Sequence, residues 1–297
     1  MDWLTKMNSA INYIEDNLTN EIDFNVVCMK ACCSSYNFQR MFSFITDITL
    51  AEYIRRRRLT AAALELQNSN QKIIDIAVKY GYDSATSFSR AFKALHGLTP
   101  SEAKQAGARL KAYPKISFQI FIKGDSEMNY RIETKENFDI FGIETIASLT
   151  GEKGYLSPAM LWQECQKNGE YERLFKNAGD LPSFVSQDLC KIHGVENYRK
   201  TEENTFPYML CAFVSNNSNT EGYKTIHIPA QTYVIFSSEK FKWGDEFFNI
   251  LTTIQKKFYG EWLPTANYER ADAANFEIYG GTEEYGYIEL WFPIIKK

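Results

Sequence analysis

The sequence has few histidines and cysteines, and they do not cluster. The six cysteines form no Cys-x-x-Cys pair, and the three histidines, His96, His193 and His227, are far apart along the chain. Zinc sites draw such ligands from short, regular spacings, so we expect no metal and no cofactor. Isolated thiols are typical of small buried side chains in a reducing compartment. Redox sensing through the adjacent Cys32 and Cys33 is the alternative.

Long apolar runs and a secretion signal are also missing. The 297 residues contain no stretch of 18 apolar residues, which predicts no membrane-spanning helix and no membrane partner. Met1-Asp2-Trp3 does not begin a signal peptide. We therefore expect a cytoplasmic protein.

The chain as a whole has no excess of positive charge, but its first part does. The formal net charge is −4. Residues 1–112 hold 14 Lys and Arg against 11 Asp and Glu, whereas residues 113–297 hold 19 against 26. This asymmetry indicates two parts with different tasks, of which the first attracts a polyanion and the second repels it.

A fifteen-residue stretch occurs twice, fifty residues apart. Residues 38–52 are FQRMFSFITDITLAE and residues 88–102 are FSRAFKALHGLTPSE, with six matches that include aromatic and charged positions. Such spacing predicts a duplicated structural unit. Each copy has aromatics at i and i+4 of a helix and then a Thr-x-x-Glu capping box that begins the next helix.

Each copy follows a short helix and a turn, which together predict a helix-turn-helix. In the second unit Gly81 occupies the position where a helix end needs a left-handed residue, and Ser84 is a good N-cap. In the first unit Cys32 replaces that glycine. We predict that the second helix of each unit enters a DNA major groove. The predicted DNA-facing polar residues are Ser35, Tyr36, Asn37, Gln39 and Arg40 in one unit and Ser84, Thr86, Ser87, Ser89 and Arg90 in the other.

A long helix from about Thr49 to Gln67 joins the two units and carries the basic run Arg55–Arg58. At roughly 1.5 Å per residue it spans nearly 30 Å, close to the ~34 Å repeat of B-DNA. Two recognition helices could then occupy successive grooves. The alternative is that the polar residues are solvated faces of a helical bundle.

Residues 1–107 resemble the DNA-binding domain of the AraC/XylS family. The matching stretches are CSSYNFQRMF, AEYIRRRRL, IIDIAVKYGYDSATSFSRAFK and GLTPSEAK. The resemblance implies that Tyr36, Gln39 and Arg40 contact DNA from the first unit. It implies the same for the second-unit residues Ala85, Thr86, Ser87, Ser89 and Arg90. Residues 108–115 are predicted to be a linker.

From Ile116 the period of the hydrophobic pattern changes to two. Strands are predicted at 116–124, 128–148, 189–195, 207–215, 224–238, 275–281 and 285–295, and helices at 157–177 and 243–263. Strand–helix–strand–strand occurs twice. The sequence therefore predicts a multidomain protein in which an all-α double helix-turn-helix domain precedes an α+β domain, residues 116–297, of two similar halves meeting at a groove.

Alternation on the last strand suggests what lines that groove. Ile288, Leu290 and Phe292 share one face, predicted to pack on the helices. Tyr287, Glu289 and Trp291 share the other, as Glu277 and Tyr279 share one face of the preceding strand. A carboxylate between aromatic rings suits an organic cation. Solvated glutamates on an exposed sheet face are the alternative.

Residues from about 116 to 297 resemble the GyrI-like effector-binding domain. The resemblance rests on FQIFIKG, FDIFGIE, LPTANYERADAANFEIYGG and YGYIELWFPI. It implies a groove for bulky, often cationic compounds with a central glutamate, for which Glu289 is the first candidate and Glu277 the second. Tyr208, Tyr233, Tyr287 and Trp291 are the candidate walls.

Together these features predict a one-component, non-enzymatic transcriptional regulator. Its expected partners are double-stranded promoter DNA, a hydrophobic and cationic small-molecule effector, and RNA polymerase. Two alternatives remain for the second part. It could be a hydrolase of strained electrophilic toxins, in which Glu289 activates water, or a module that contacts another protein through its acidic surface.

Overall fold

The computed structural model describes residues 3–105, 107–119, 128–152, 154–244 and 247–297. The chain divides into two compact units. The first comprises Met1–Phe38 and Ile48–Ile122, and the second comprises Gln39–Asp47 and Lys123–Lys297. The predicted order of an all-α part followed by an α+β part is confirmed.

All the regular secondary structure described in the first part of the chain is helical. Its helices within the described residues are α1 (Trp3–Asp16), α2 (Phe24–Ala31), α3 (Ser35–Thr46), α4 (Leu50–Asn68), α5 (Ile73–Lys79), α6 (Ala85–His96) and α7 (Pro100–Ala103). The predicted long connecting helix is therefore present as α4. On its buried side, Leu59, Ala63 and Leu66 pack with Phe88 and Phe92 of α6 in one apolar cluster.

The basic run on α4 is engaged in internal contacts of the first unit. Arg55 and Arg56 both bond Glu52, which lies about one turn earlier on the same helix, at 2.7 and 2.5 Å. Arg57 pairs with Glu15 of α1 at 2.7 Å. The Arg58 guanidinium donates to the backbone carbonyls of Leu18 and Asn20, each at 2.9 Å. Arg55 and Arg56 therefore pair within α4, and Arg57 and Arg58 connect α4 to other segments of the first unit, although the sequence pattern favoured a role toward DNA.

Both predicted turns have left-handed backbone. Gly81 has φ of +81°, a left-handed conformation that favours glycine over residues with a Cβ. Cys32 adopts the same region, with φ of 54°, although it carries a side chain. Its N–H closes α2 onto the carbonyls of Cys28 and Met29. The first turn therefore forms despite the missing glycine, at some steric cost.

The two Thr-x-x-Glu motifs differ in use. Thr99 and Glu102 form a complete capping box, in which each side chain bonds the other residue's backbone N–H. Thr49 caps α4 through the N–H of Glu52 at 3.1 Å. The Glu52 carboxylate, however, binds the two arginines one turn ahead of it. Only half of the predicted first box is therefore present.

The segment predicted as linker and first strand has no regular structure where it is described. Tyr113 donates its N–H to the Thr60 hydroxyl, and Phe118 donates to Asn8 at 2.8 Å. Residues 116–119 are thus held on the helices of the first unit rather than in a sheet. Residues 120–124 of the predicted strand lie outside the described residues.

In the residues described, the second unit contains one ten-stranded antiparallel sheet together with helices. Its first half contains β1 (Tyr130–Lys135), β2 (Phe138–Ser148), α8 (Pro158–Asn168), α9 (Glu170–Asn177), β3 (His193–Glu196) and β4 (Thr205–Phe213). Its second half contains β5 (Lys224–Ile228), β6 (Gln231–Ser237), β7 (Phe241–Lys242), α10 (Phe247–Lys257), a π-helical turn (Phe258–Trp262), α11 (Leu263–Thr265), β8 (Tyr268–Arg270), β9 (Asn275–Gly281) and β10 (Tyr285–Lys296).

Strand order shows the predicted duplication. The main sheet runs β1-β6-β10-β9-β3-β4-β2-β5, and β7 and β8 pair with β10. The corresponding strands of the two halves are β1 and β5, β2 and β6, β3 and β9, and β4 and β10. When the labels within each pair are exchanged, the strand order is the same read from the opposite edge. The pair β3–β9 is therefore the seam between the halves, and each half's outermost strand, β1 or β5, pairs with the other half.

Three predicted elements are split by residues that interrupt them. The strand predicted at 128–148 ends at Lys135 as β1 and resumes at Phe138 as β2. The helix predicted at 157–177 is broken at Gly169, whose φ is +82°. The strand predicted at 224–238 is broken at Pro229, which has no N–H for the ladder. The short strands β7 and β8 were not predicted, because two or three residues carry no readable alternation.

We predict that Cys32→Gly stabilises the first unit by about 1 kcal/mol, because glycine adopts the left-handed region without the Cβ clash. The measurement is the free energy of unfolding in urea. Cys33→Gly, one residue later and without a positive φ, is the matched control and should destabilise. A lower stability for Cys32→Gly would contradict the strain at this turn.

Candidate functional site

Helix α6 presents a polar edge at the surface of the first unit. Ser84 caps it by accepting from the N–H of Ser87 at 3.1 Å. Phe88 and Phe92 are buried against α4 and fix the rotation of the helix. Thr86, Ser87 and Arg90 are exposed, and Ser84, Ala85 and Ser89 are partly exposed. All six DNA-facing residues predicted for the second helix-turn-helix therefore lie along the outer edge of α6 and its N-cap.

The residues predicted on α3 are more enclosed. Tyr36, Asn37 and Gln39 are buried, whereas Ser35 and Arg40 are partly exposed. Gln39 and Arg40 belong to the second compact unit. Within that unit, the Gln39 amide donates to Asn204 at 2.9 Å. The Arg40 guanidinium pairs with Glu196 at 2.8 Å. In this structure α3 and α6 therefore differ in the exposure of their predicted DNA-facing side chains.

The six predicted effector residues do not come together, because the β9–β10 register separates the two glutamates. Leu290 pairs with Glu277, and Glu289 pairs with Ile278. Directly paired residues project to the same side of a sheet. Glu277 therefore shares a face with Leu290, which we call the helix face, and Glu289 lies on the other, which we call the core face. The expectation that both glutamates line one groove fails for this reason.

Contacts with helices confirm the assignment of the two faces. On the helix face, the Phe292 ring stacks on Phe258 with centroids 3.8 Å apart. The Tyr279 ring contacts Trp162 of α8 and Phe247 of α10, at 5.5 Å in each case. Residues Ile288, Leu290 and Phe292 were predicted to face the helices, and Phe292 does so. Glu277 and Tyr279 lie beside them, between the two halves.

Glu277 is the centre of a network of neutral donors, the Glu277 cluster, defined as Glu277, Tyr208, Tyr279 and Trp162. Its carboxylate accepts from the Tyr208 hydroxyl at 2.9 Å and the Tyr279 hydroxyl at 2.8 Å. Trp162 in turn donates its indole N–H to the Tyr208 oxygen at 2.8 Å. The Glu277 side chain is still partly exposed. Part of this side chain is therefore accessible to solvent.

Electrostatics at the cluster favour an incoming positive charge. Burial, and after it the Glu196 carboxylate, raise the pKa of Glu277 above its ordinary value, while the Tyr279 and Tyr208 hydroxyls and the Arg40 charge oppose this. Burial and the Glu277 charge raise the pKa of Tyr208 well above its ordinary value. The tyrosine therefore remains a donor at neutral pH. Throughout the described residues, no Lys or Arg is ion-paired with Glu277.

Gly194 of β3 makes room for this arrangement. It lies directly opposite Glu277 across the β3–β9 seam. A Cβ there would lie 2.5 Å from the Tyr208 hydroxyl and 2.7 Å from a Glu277 oxygen. Since real side chains do not approach so closely, only glycine at this position allows the two groups to meet.

A continuous set of aromatic rings extends from the cluster along both flanking helices. Ring contacts run from Phe175 through Tyr171 and Trp162 to Tyr279, and from Tyr279 through Phe247 to Trp243. Among these rings, the sequence analysis had named Tyr279 alone, because it shares a strand face with Glu277. The i, i+4 spacing of Tyr171 and Phe175 on α9 was the available signal for the others.

Glu289, the first candidate from the sequence, already has a cation. Its two oxygens accept from the Arg131 guanidinium at 2.7 and 2.9 Å. Trp291 adds its indole N–H at 3.0 Å. Trp291 and Tyr233 are buried in the apolar cluster behind the core face. The Tyr287 hydroxyl donates to Asp188 at 2.9 Å.

The described residues also bear on metal, membrane and disulfide sites. No group of three or more His, Cys, Asp or Glu among the residues described is placed to hold a metal ion. In the same residues no helix is both long and apolar enough to cross a bilayer. None of the six cysteines is in a disulfide, and Cys165 and Cys211 are buried.

Comparison with known proteins identifies both parts of the chain. A family model described as an integron-associated effector binding protein matches residues 131–294, and a helix-turn-helix domain model matches residues 27–106. The transcriptional activator AarP of Providencia stuartii is 45% identical over 89 residues, which are 30% of this chain and 66% of AarP. The regulatory protein SoxS of Salmonella typhimurium is 40% identical over 94 residues, which are 32% of this chain and 88% of SoxS.

One of the solved structures that match the chain is that of SAV2435 bound to tetraphenylphosphonium. It is 18% identical with a TM-score of 0.42, and the match covers 57% of this chain and 94% of that one. The effector-binding model alone covers more than half of the chain. The protein therefore belongs to the family of integron-associated effector-binding proteins, joined here to an AraC-type helix-turn-helix domain, and is an AraC-family transcriptional regulator.

Proposed function

We propose that this regulator binds a bulky, lipophilic organic cation at the Glu277 cluster and promoter DNA through its helix-turn-helix units. The observation that carries the effector proposal is a carboxylate whose donors, Tyr208 and Tyr279, are neutral hydroxyls. A carboxylate that is only partly exposed and has no counter-ion is unfavourable, so a cation that enters supplies the missing charge. Aromatic rings on both sides add cation–π attraction of roughly 0.5–2 kcal/mol each.

The same reasoning makes Glu289 the weaker candidate. An effector cation would have to displace the bidentate Arg131 guanidinium from it. It would also have to enter the apolar cluster that contains Trp291 and Tyr233. Glu277 requires neither change. We therefore place the effector on the helix face, between α8 and α10.

For DNA binding, we propose that α6 contributes Thr86, Ser87 and Arg90 to a major groove, with Ser84, Ala85 and Ser89 beside them. Ser35, Tyr36, Asn37, Gln39 and Arg40 remain the proposed contacts of α3. AarP is named a transcriptional activator, and by extension we propose RNA polymerase as a partner of this chain.

A hydrolase is the second candidate function, because the raised pKa of Glu277 and the adjacent tyrosine hydroxyls also suit a general base with neutral donors. Incubation of the protein with an epoxide toxin followed by mass spectrometry separates the two functions. Intact recovery supports sensing. Conversion to the diol that is lost in Glu277→Gln supports catalysis.

We predict that Glu277→Gln weakens binding of tetraphenylphosphonium at least about tenfold, or roughly 1.4 kcal/mol. Neutral triphenylphosphine oxide should lose little, because the amide retains the shape and the acceptor oxygen but not the charge. Titration calorimetry with both probes measures this. Glu289→Gln is the matched control and should leave both affinities near wild type. Equal losses for the two probes in Glu277→Gln, or a larger cation loss in Glu289→Gln, would refute the assignment.

Binding of a permanently charged cation should also depend on pH. Since the pKa of Glu277 is raised above 4.5, the carboxylate protonates on acidification before an ordinary glutamate would. Affinity for tetraphenylphosphonium should therefore be constant at high pH and fall as pH drops through that raised pKa. Glu277→Gln should bind weakly with no such transition. A wild-type profile flat down to pH 4.5 would contradict this.

Arg90→Ala should weaken operator binding and reduce the slope of log affinity against log salt by about 1, since one phosphate or base contact is lost. Arg109→Ala removes an equally exposed charge outside α6 and serves as the control. Arg40→Ala with Arg90→Ala should weaken binding further. Fluorescence anisotropy at several salt concentrations, on DNA obtained by selection, gives these slopes. Unchanged binding in Arg90→Ala would remove α6 from the interface.

A further inference from the structure

Arg40 is held within the second unit by the same combination of groups that the proposed effector site offers. Its guanidinium donates to the Glu196 carboxylate at 2.8 Å. It also lies over the rings of Phe44 and Phe206, at 4.5 and 5.0 Å from their centroids. A carboxylate beside aromatic rings is a favourable site for an organic cation. The protein therefore already binds one internal cation by the chemistry that we propose for the effector at Glu277.

Glu196 and Glu277 are neighbours on the helix face of the sheet. Across the β3–β9 seam, Gly194 pairs with Glu277. Glu196, two residues further along β3, pairs with Asn275, two residues before Glu277. The two glutamates are therefore diagonal neighbours, roughly 7–8 Å apart, a separation that long side chains can span. On its other side Glu196 pairs with Tyr208, whose hydroxyl donates to Glu277. The site that holds the guanidinium is thus adjacent to the proposed effector site.

The charges of these groups act on one another. Burial is the main cause of the raised pKa of Glu277; the Glu196 carboxylate adds to the rise, and the Arg40 guanidinium opposes it. Solvent screens the Arg40–Glu196 pair only in part, because 19% of the arginine side chain and 3% of the glutamate side chain are exposed. A second cation at Glu277 would be attracted by both carboxylates and repelled by Arg40.

Arg40 also has a second proposed task, because it is one of the predicted DNA contacts of α3. A guanidinium that donates to Glu196 and lies between two rings cannot donate to a phosphate or a base at the same time, since both interactions need the same N–H groups. The contact of Arg40 with DNA therefore requires the Arg40–Glu196 pair to open.

We infer that Arg40 is an internal competitor of the effector cation and thereby links effector binding to DNA binding. This inference rests on the proposed function of the Glu277 cluster. A cation bound at Glu277 repels the guanidinium and balances part of the charge of the two carboxylates, which weakens the Arg40–Glu196 pair. The released guanidinium then adds to the DNA contacts. Each ligand therefore strengthens the binding of the other, and by the same factor.

The first experiment measures ligand affinity on the full chain without DNA, by titration calorimetry at a pH high enough that affinity no longer changes with pH. Arg40→Gln should strengthen tetraphenylphosphonium binding about three- to tenfold, because a like charge is removed. Neutral triphenylphosphine oxide should bind as it does to wild type. Arg40→Lys, which keeps the charge, should bind both probes as wild type does.

Arg199→Gln is the matched control for the loss of one positive charge. Arg199 pairs with Glu144 at 2.8 Å. Glu144 lies directly opposite Met209, a member of the apolar cluster behind the core face. The pair is therefore on the other side of the sheet from Glu277. Both affinities should stay at the wild-type value in this variant.

The second experiment measures operator affinity by fluorescence anisotropy, on DNA obtained by selection. Saturating tetraphenylphosphonium should strengthen wild-type binding about three- to tenfold, whereas triphenylphosphine oxide should have no effect. In Glu196→Gln the guanidinium has lost its charged partner. Operator binding should therefore be stronger without any ligand, and the cation should add little. In Arg40→Gln the cation should add nothing.

The outcomes separate this inference from the proposed function. Failure of wild type to bind tetraphenylphosphonium would overturn the proposed function and this inference with it. If wild type binds the cation and Arg40→Gln binds it no more tightly, this inference alone is overturned. The same holds if Arg40→Lys strengthens binding as much as Arg40→Gln does, or if the cation strengthens operator binding equally in wild type and Glu196→Gln.

Discussion

The pairing of β3 with β9 is the constraint on which the second unit depends. Its register sets Gly194 directly opposite Glu277, and the absent side chain lets the Tyr208 hydroxyl reach the carboxylate. A shift of one residue would turn Glu277 to the other face. The charge, the donors and the aromatic surroundings of the proposed effector site all follow from this one alignment between the two halves.

Two glutamates on neighbouring strands show how surroundings decide the role of a residue type. Glu289 has a guanidinium on both oxygens and an indole N–H besides. Its charge is balanced, and it fastens β1 to β10. Glu277 has hydroxyl donors that orient the carboxylate without balancing it. The first arrangement stabilises the fold, whereas the second leaves a negative charge that a bound cation can balance.

Local signals predicted much of the fold correctly, including the duplicated helix-turn-helix, the α4 connection, the left-handed Gly81 and the repeated strand–helix–strand–strand order. Properties that depend on partners distant in the chain were not predictable. Alternation gives the faces of one strand, but which face of β9 matches which face of β10 depends on register. Likewise, Arg57 finds Glu15 only after folding, so the basic run resembled a DNA contact. Tyr208 and Glu277 meet across 69 residues, a distance that no local pattern spans.

The exchange of outer strands between the halves has a consequence for how the domain is made. Among the described strands β1 pairs with β6 alone, about a hundred residues later, and β5 closes the opposite edge on β2. When only the first half has been synthesised, β1 therefore still lacks β6, and β2 still lacks β5. Contacts so distant in the chain slow folding. The two halves, although alike, should become ordered in a single cooperative step after the last strand has emerged.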